Sequence, residues 1–230
     1  MRYAGRLTIV VAAVCALPAF SSVGEWHLWD DAIGGNNHLY AIWQPDPGQD
    51  HAWTTAKQGA EAVGGYLATL NTKEEQDWLA AEFGIQLLTV YDPAEPYYLD
   101  WIGYWTGLTD NEAYGGHESW HEPDDPEHSR TWDGWVWLEP TGPEALTAES
   151  YTNWAGGYPY NLVDDMDFAT INWYVWPEAA DAPGAWAALS NDGWETRRFY
   201  GIVEMAPEPS VLALLASGAV AVALKRRRRR

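Results

Sequence analysis

Residues 134–161 read GWVWLEPTGPEALTAESYTNWAGGYPYN, and this stretch decides the fold. Trp135 and Trp137 alternate along the chain, the period-2 mark of a strand with one buried face. Pro140, Gly142 and Pro143 come next and predict that the strand stops there. The stretch closes on Tyr151-Thr152-Asn153-Trp154 and Gly156-Gly157-Tyr158-Pro159.

The order W-x-W, Gly/Pro loop, Y-x-N-W, G-x-P resembles the C-type lectin-like domain family, where a central strand leads into a long ligand-binding loop. Working outward, His38 to Gln44 predicts a first strand, and Pro45-Asp46-Pro47-Gly48 a turn. A helix is expected from about His51 to Val63, with Asp50 as N-cap. Trp53, Ala56, Ala60 and Val63 share a face, and Gly64-Gly65 stops the helix. Residues 66–70 predict a short strand. Thr72 and Glu75 have capping-box spacing for a second helix with Trp78, Leu79 and Phe83 as its apolar stripe. Residues 86–101 are expected to form a loop with one strand.

Trp105 to Asp110 is similar to the family's W-I-G-L strand, with Thr106 at the isoleucine position. Residues 111–131 are polar and predict a surface insertion. Asp167-Phe168-Ala169, Trp186 and the Phe199–Glu204 run match the family's later strands, with Asn191-Asp192-Gly193 as a turn. The resemblance covers about residues 38–204. It implies an α+β fold: two helices flanking small antiparallel sheets, a long loop region, and paired first and last strands.

Charge narrows the partners. Between residues 23 and 206 only Lys57, Lys73, Arg130, Arg197 and Arg198 are basic against 32 acidic residues, a net of −27. Such a surface repels nucleic acid and anionic membrane, and it suits calcium or simple solubility. Cys15 is the single cysteine, so no disulfide framework is expected in the domain. The core must instead rest on the chain's 16 tryptophans, which bury large areas per residue.

Residues 1–21 predict a secretory signal peptide: Arg2 and Arg6 lead, an apolar run follows, and Ala19-Phe20-Ser21 supplies small residues for signal peptidase. A retained anchor and a lipoprotein through Cys15 are the alternatives. A domain over 22–206 follows. Pro207-Glu208-Pro209, an apolar run over 211–224, and Lys225 with five arginines resemble the PEP-CTERM sorting signal of Gram-negative bacteria. That resemblance implies transient membrane anchoring, an exosortase as processing partner, and a location at the cell surface or in the extracellular matrix. The 14-residue run is marginal as a permanent span, and the basic end favours the cytoplasmic side.

Three functions are weighed. Sugar-binding members of the family hold calcium with side-chain oxygens. The equivalent positions in this chain are Tyr158 and Tyr160 around Pro159, then Met166, then Ala187 and Ala188 after Trp186. Those residues offer phenols, a thioether and methyl groups where a hard cation needs carboxylate and amide oxygens. The expectation is therefore recognition without a metal cofactor. Tyr158, Tyr160, Asn161, Trp173 and Trp176 would contact a glycan or a surface protein. Calcium-dependent lectin activity is the alternative, with Asn161, Asp164, Asp165, Asn191 and Asp192 as ligands. A zinc hydrolase using His117, Glu118 and His121 (H-E-x-x-H) is the third. That motif needs a helix to set both imidazoles on one face, and Gly115-Gly116 and Pro123 bracket it closely. No catalytic residue is assigned.

Overall fold

The structure is a computed structural model. It describes residues 23–85, 102–117, 132–155, 159, 165–171, 184–193 and 198–206. The expected signal peptide (1–21), the expected 86–101 loop and the expected sorting tail (207–230) lie outside the described residues. Among the described residues no helix is long and apolar enough to cross a membrane.

The strands are β1 (His27–Leu28), β2 (Leu39–Trp43), β3 (Tyr66–Leu67), β4 (Ile102–Thr109), β5 (Val136–Glu139), β6 (Gly142–Ala145), β7 (Phe168–Ile171), β8 (Trp186–Leu189) and β9 (Arg198–Met205). The helices are α1 (Trp53–Ala62) and α2 (Lys73–Glu82). Hydrogen bonding runs β1-β2-β9-β4-β5-β6, with β3 also on β9, β7 on β4 and β8 on β7. The strand expected to come first, now β2 because the short β1 precedes it, pairs with the last described strand as expected: Leu39 faces Met205 and Trp43 faces Gly201, antiparallel. The other edge of β9 takes β3 against Val203 and Glu204 and β4, parallel, against Arg198 to Gly201. The fold is thus α+β with the lectin-like pairing of its ends. Instead of separate small antiparallel sheets, one connected network includes a parallel pair.

Both helices form where the periodicity places them, but α1 starts differently. Its cap residue is Ala52, which offers no side-chain acceptor. The first amides are met from across the chain: Trp53 N donates to Asn191 O (2.8 Å) and Thr54 N to Asn191 Oδ1 (3.0 Å). Asp50 accepts from Ala52 N and from the Thr55 hydroxyl, just outside the helix. A distant asparagine has taken the role expected of a local aspartate. Gly64, at φ 83°, ends the helix, a left-handed position where a side chain would strain the backbone. In α2, Glu75 N donates to Thr72 Oγ1 at 3.1 Å, one half of the capping box. The other half is displaced: the Glu75 carboxylate accepts from Asn71 N.

The strand over Val136–Glu139 stops at Pro140 as expected, but the segment that follows does not leave the sheet. It turns a hairpin in which Glu139 faces Gly142 and Leu138 faces Pro143. Pro143 is tolerated because β6 is an edge strand. The start of the 111–131 insertion is also more than a surface loop. Residues Glu112–Tyr114 make one 3-10 turn, and the Tyr114 ring lies 5.1 Å from Trp53.

The core is aromatic. Trp105 stacks on Phe199 (4.6 Å) and Trp53 packs on Phe168 (4.4 Å). A buried indole N–H is stabilised by an acceptor, and three of the core indoles find one. Trp53 Nε1 donates to Thr106 O, Trp105 Nε1 to His51 O, and Trp186 Nε1 to Gln76 Oε1 (2.6 Å). The last bond explains why Gln76 is buried on α2.

Gly59 shows how tightly α1 is seated. A Cβ there would lie 2.0 Å from Trp43 Nε1. Gly59→Ala should therefore destabilise the domain by about 1–2 kcal/mol, because overpacking outweighs the helix-propensity gain of about 1 kcal/mol. Urea denaturation of the variant checks this; a stabilised G59A would contradict the packing.

Candidate functional site

The ends of β4, β7 and β8 meet the start of α1 at a cleft of about 390 Å³. Asp165, Asn191 and Asp192, three of the residues named for calcium, line it, with Thr54, Asn111, Tyr114, Asp167 and Ser190. Tyr158, Tyr160, Asn161, Asp164, Trp173 and Trp176 lie outside the described residues. Pro159 is buried. Trp154 packs on Trp135 (4.8 Å) and Trp186 (5.6 Å) and belongs to the core.

Asp167 is the anchor of the cleft. Its backbone oxygen accepts from the Thr109 hydroxyl (2.7 Å) and from Asp110 N (3.2 Å). Its Oδ2 accepts from Asn111 Nδ2, and its Oδ1 is buried with no hydrogen-bond partner among the described residues. Asn111 is fixed in turn: its N donates to Thr109 Oγ1, and its Oδ1 accepts from Ala113 N. The opposite wall is the turn after β8, where Gly193 N donates to Ser190 O at 2.9 Å. Tyr114 adds an aromatic face, with the Lys57 ammonium 5.6 Å from its ring centre. Carboxylate, amide and hydroxyl groups thus line the cleft beside a ring. That set can hydrogen-bond a polyhydroxylated ligand and cover one apolar face.

Ala187, Ala188 and Met166, where the resemblance implied metal ligands, carry no carboxylate or amide side chain. Ala187 and Ala188 are 0% and 1% exposed inside β8, and they offer no side-chain oxygen. Met166 is partly buried against the core. Asn191 is committed elsewhere, since both its oxygens accept from α1 amides. Among the described residues no three His, Cys, Asp or Glu side chains gather to hold an ion. His117 follows Gly115 and Gly116 in non-helical backbone. Its ring lies 3.6 Å from Asp133, and its N donates to Gly134 O. Glu118 and His121 lie outside the described residues.

Sequence reasoning missed Asn111, Tyr114, Asp167 and Ser190 as cleft residues. Their signal was position: each sits within a few residues of a strand end, and three strand ends converge only once the sheet is built.

No family model matches the chain, and no curated protein matches it. Among solved structures it is similar to the mouse scavenger receptor C-type lectin carbohydrate-recognition domain (19% identity, 80% of this chain and 96% of that one, TM-score 0.44). It is also similar to the cow C-type carbohydrate-recognition domain of CD23 (16%, 82% and 98%, 0.45) and to herring type II antifreeze protein (14%, 80% and 97%, 0.46). The fold assignment rests on the strand pairing, above all that of β2 with β9.

The Asn191 bonds make a separable prediction. Asn191→Ala should cost about 1 kcal/mol of stability through the lost cap, while Asp192→Ala should stay within about 0.5 kcal/mol. Thermal unfolding of the two variants compares them; equal effects would contradict the capping role.

Proposed function

We propose that this is a non-catalytic recognition or adhesion module that binds a glycan or a surface protein without the calcium of its sugar-binding relatives. The observation that carries this reading is the burial of Ala187 and Ala188 in β8, where those relatives present metal-binding oxygens. The oxygen-lined cleft with its Tyr114 wall supports a hydroxyl-rich ligand. Tyr158, Tyr160, Asn161, Trp173 and Trp176 are proposed to extend the contact from the long loop. Export and sorting are part of the same proposal. Signal peptidase would remove residues 1–21, and an exosortase would act at Pro207-Glu208-Pro209. Segment 211–224 would hold the chain in the membrane until then, and the domain would work at the cell surface or in the exopolysaccharide matrix. The acidic domain surface argues against a nucleic-acid partner.

A calcium-dependent lectin is the second reading. Asp167 Oδ1, buried with no hydrogen-bond partner among the described residues, favours it, with Asp165 and Asp192 lining the same cleft.

A glycan array with and without chelator tests both. Binding that survives chelation supports the proposal, and binding lost on chelation supports the calcium reading. In the first case, Tyr158→Ala with Tyr160→Ala should weaken binding about tenfold with the fold intact. Failure to bind any glycan or surface protein would overturn both readings.

A further inference from the structure

A buried polar layer lies between α2 and the β2–β9 pair. Two carboxylates sit in it, Glu75 of α2 (3% exposed) and Glu204 of β9 (1% exposed). Glu204 collects donors: Thr69 N (3.0 Å), Thr69 Oγ1 (3.1 Å) and His38 Nδ1 at 2.5 Å. Glu75 Oε2 accepts from Asn71 N at 3.0 Å. The two acids meet at the Tyr40 hydroxyl, which contacts Glu75 Oε1 closely and Glu204 Oε1 at 3.1 Å. Asn36 Nδ2 donates to the same hydroxyl at 2.8 Å.

Hydrogen counting makes this arrangement specific. The phenol has one hydrogen and two carboxyl neighbours, so with both acids ionised one contact sets oxygen against oxygen. Burial makes that costly. A proton on Glu75 resolves it. Glu75 then donates to the Tyr40 oxygen, Tyr40 donates to Glu204, and Asn36 fills the second lone pair of the phenol. Every group is satisfied, and one negative charge is removed from the layer.

We propose that α2 is clasped to the paired terminal strands by a proton on Glu75, relayed through Tyr40 to Glu204, so that this seam is tightest in mild acid and slackens as pH rises through neutrality.

The surroundings agree in sign. Burial and the Glu204 charge push the Glu75 carboxyl up from 4.5 to about 7. His38 of β2 is raised by its bond to Glu204, and Glu139 of β5 is raised by burial and then by Glu204. Glu144 of β6 adds to the negative field at Glu139. Burial keeps the phenols Tyr40 and Tyr66 of β2 and β3 protonated. For Glu75, the folded chain binds more protons than the unfolded chain between pH 4.5 and about 7. Stability therefore falls as pH rises across that interval and levels above it. The His38 contribution is complete below its unfolded value and is lost as pH rises through its raised folded value. The two effects add. The seam extends beyond α2, because Gln76, next to Glu75, accepts the Trp186 indole N–H.

Amide hydrogen exchange of the purified protein, in chelator, from pH 5 to pH 8 tests this. Protection factors of the α2 amides and of the Trp186 indole N–H should fall by up to about tenfold per pH unit between pH 5 and 7. Glu75→Gln can donate to Tyr40 without titrating, so E75Q should lose most of that slope and be better protected than the wild type at pH 8. In the wild type, the Glu75 side-chain carbon should titrate near pH 7 by NMR, a readout that needs no variant. Constant wild-type protection, an unchanged slope in E75Q, or a Glu75 midpoint below about pH 5, near the ordinary glutamate value, would each overturn the proposal.

Discussion

The pairing of β9 with its neighbours is the constraint on which the rest depends. β9 comes last among the described strands, yet it lies between β2 on one edge and β3 and β4 on the other. A strand so placed must satisfy backbone donors and acceptors on both edges. It can do so only when the two ends of the domain have met. Its sequence fits the role: Phe199, Ile202 and Val203 are fully buried, and Gly201 lets the Leu67 side chain approach a Cβ position to 3.0 Å. The cleft inherits its geometry from this arrangement, because Asn191 precedes β9 by a few residues and holds the first turn of α1.

The domain reaches this closure without cysteine, as Cys15 lies in the predicted leader. Indole rings with satisfied N–H groups supply the cross-links. Trp53, Trp105 and Trp186 each join elements far apart in sequence, through Thr106, His51 and Gln76 respectively. Each combines a large apolar area with one directional bond, so register is fixed as well as burial. The polar layer under α2 is the counterpart. It joins β2, Thr69 just after β3, α2 and β9 through hydrogen bonds to Glu75 and Glu204, at the cost of placing two acids in the interior.

Much of the scaffold was legible because it follows from local period and local chemistry. The α1 face of Trp53, Ala56 and Ala60, the Thr72 cap and the pairing of residues 39–43 with 201–205 all appear where pattern or resemblance placed them. What escaped was non-local. Asn191 caps a helix 137 residues away, and nothing near Asp50 signals that a rival acceptor will win. Pro140 stops β5 as its signal predicts, but the chain's immediate return as the edge strand β6 through Gly142 and Pro143 was not foreseen. Glu75 fits a capping box, but burial diverts its carboxylate into the core. Glu204 was the one visible clue to the polar layer: an acid two residues after Ile202 on a strand points to the same side as a fully buried neighbour. The cleft was legible only in part. Asp165, Asn191 and Asp192 stand in the sequence reading as ligands of the calcium alternative and line the cleft, while Asp167 and Asn111 depend on strand ends that converge in three dimensions.

A C-terminal strand usually frays before the rest of a domain opens, whereas β9, paired on both edges, should be among the last elements to open. Native-state hydrogen exchange across a denaturant series measures this directly. The amides of Gly201 to Glu204 should be among the slowest in the chain and should exchange only through global unfolding, with the full denaturant dependence. Exchange of those amides through a small local opening, while β7 and β8 stay protected, would contradict the central place assigned to β9.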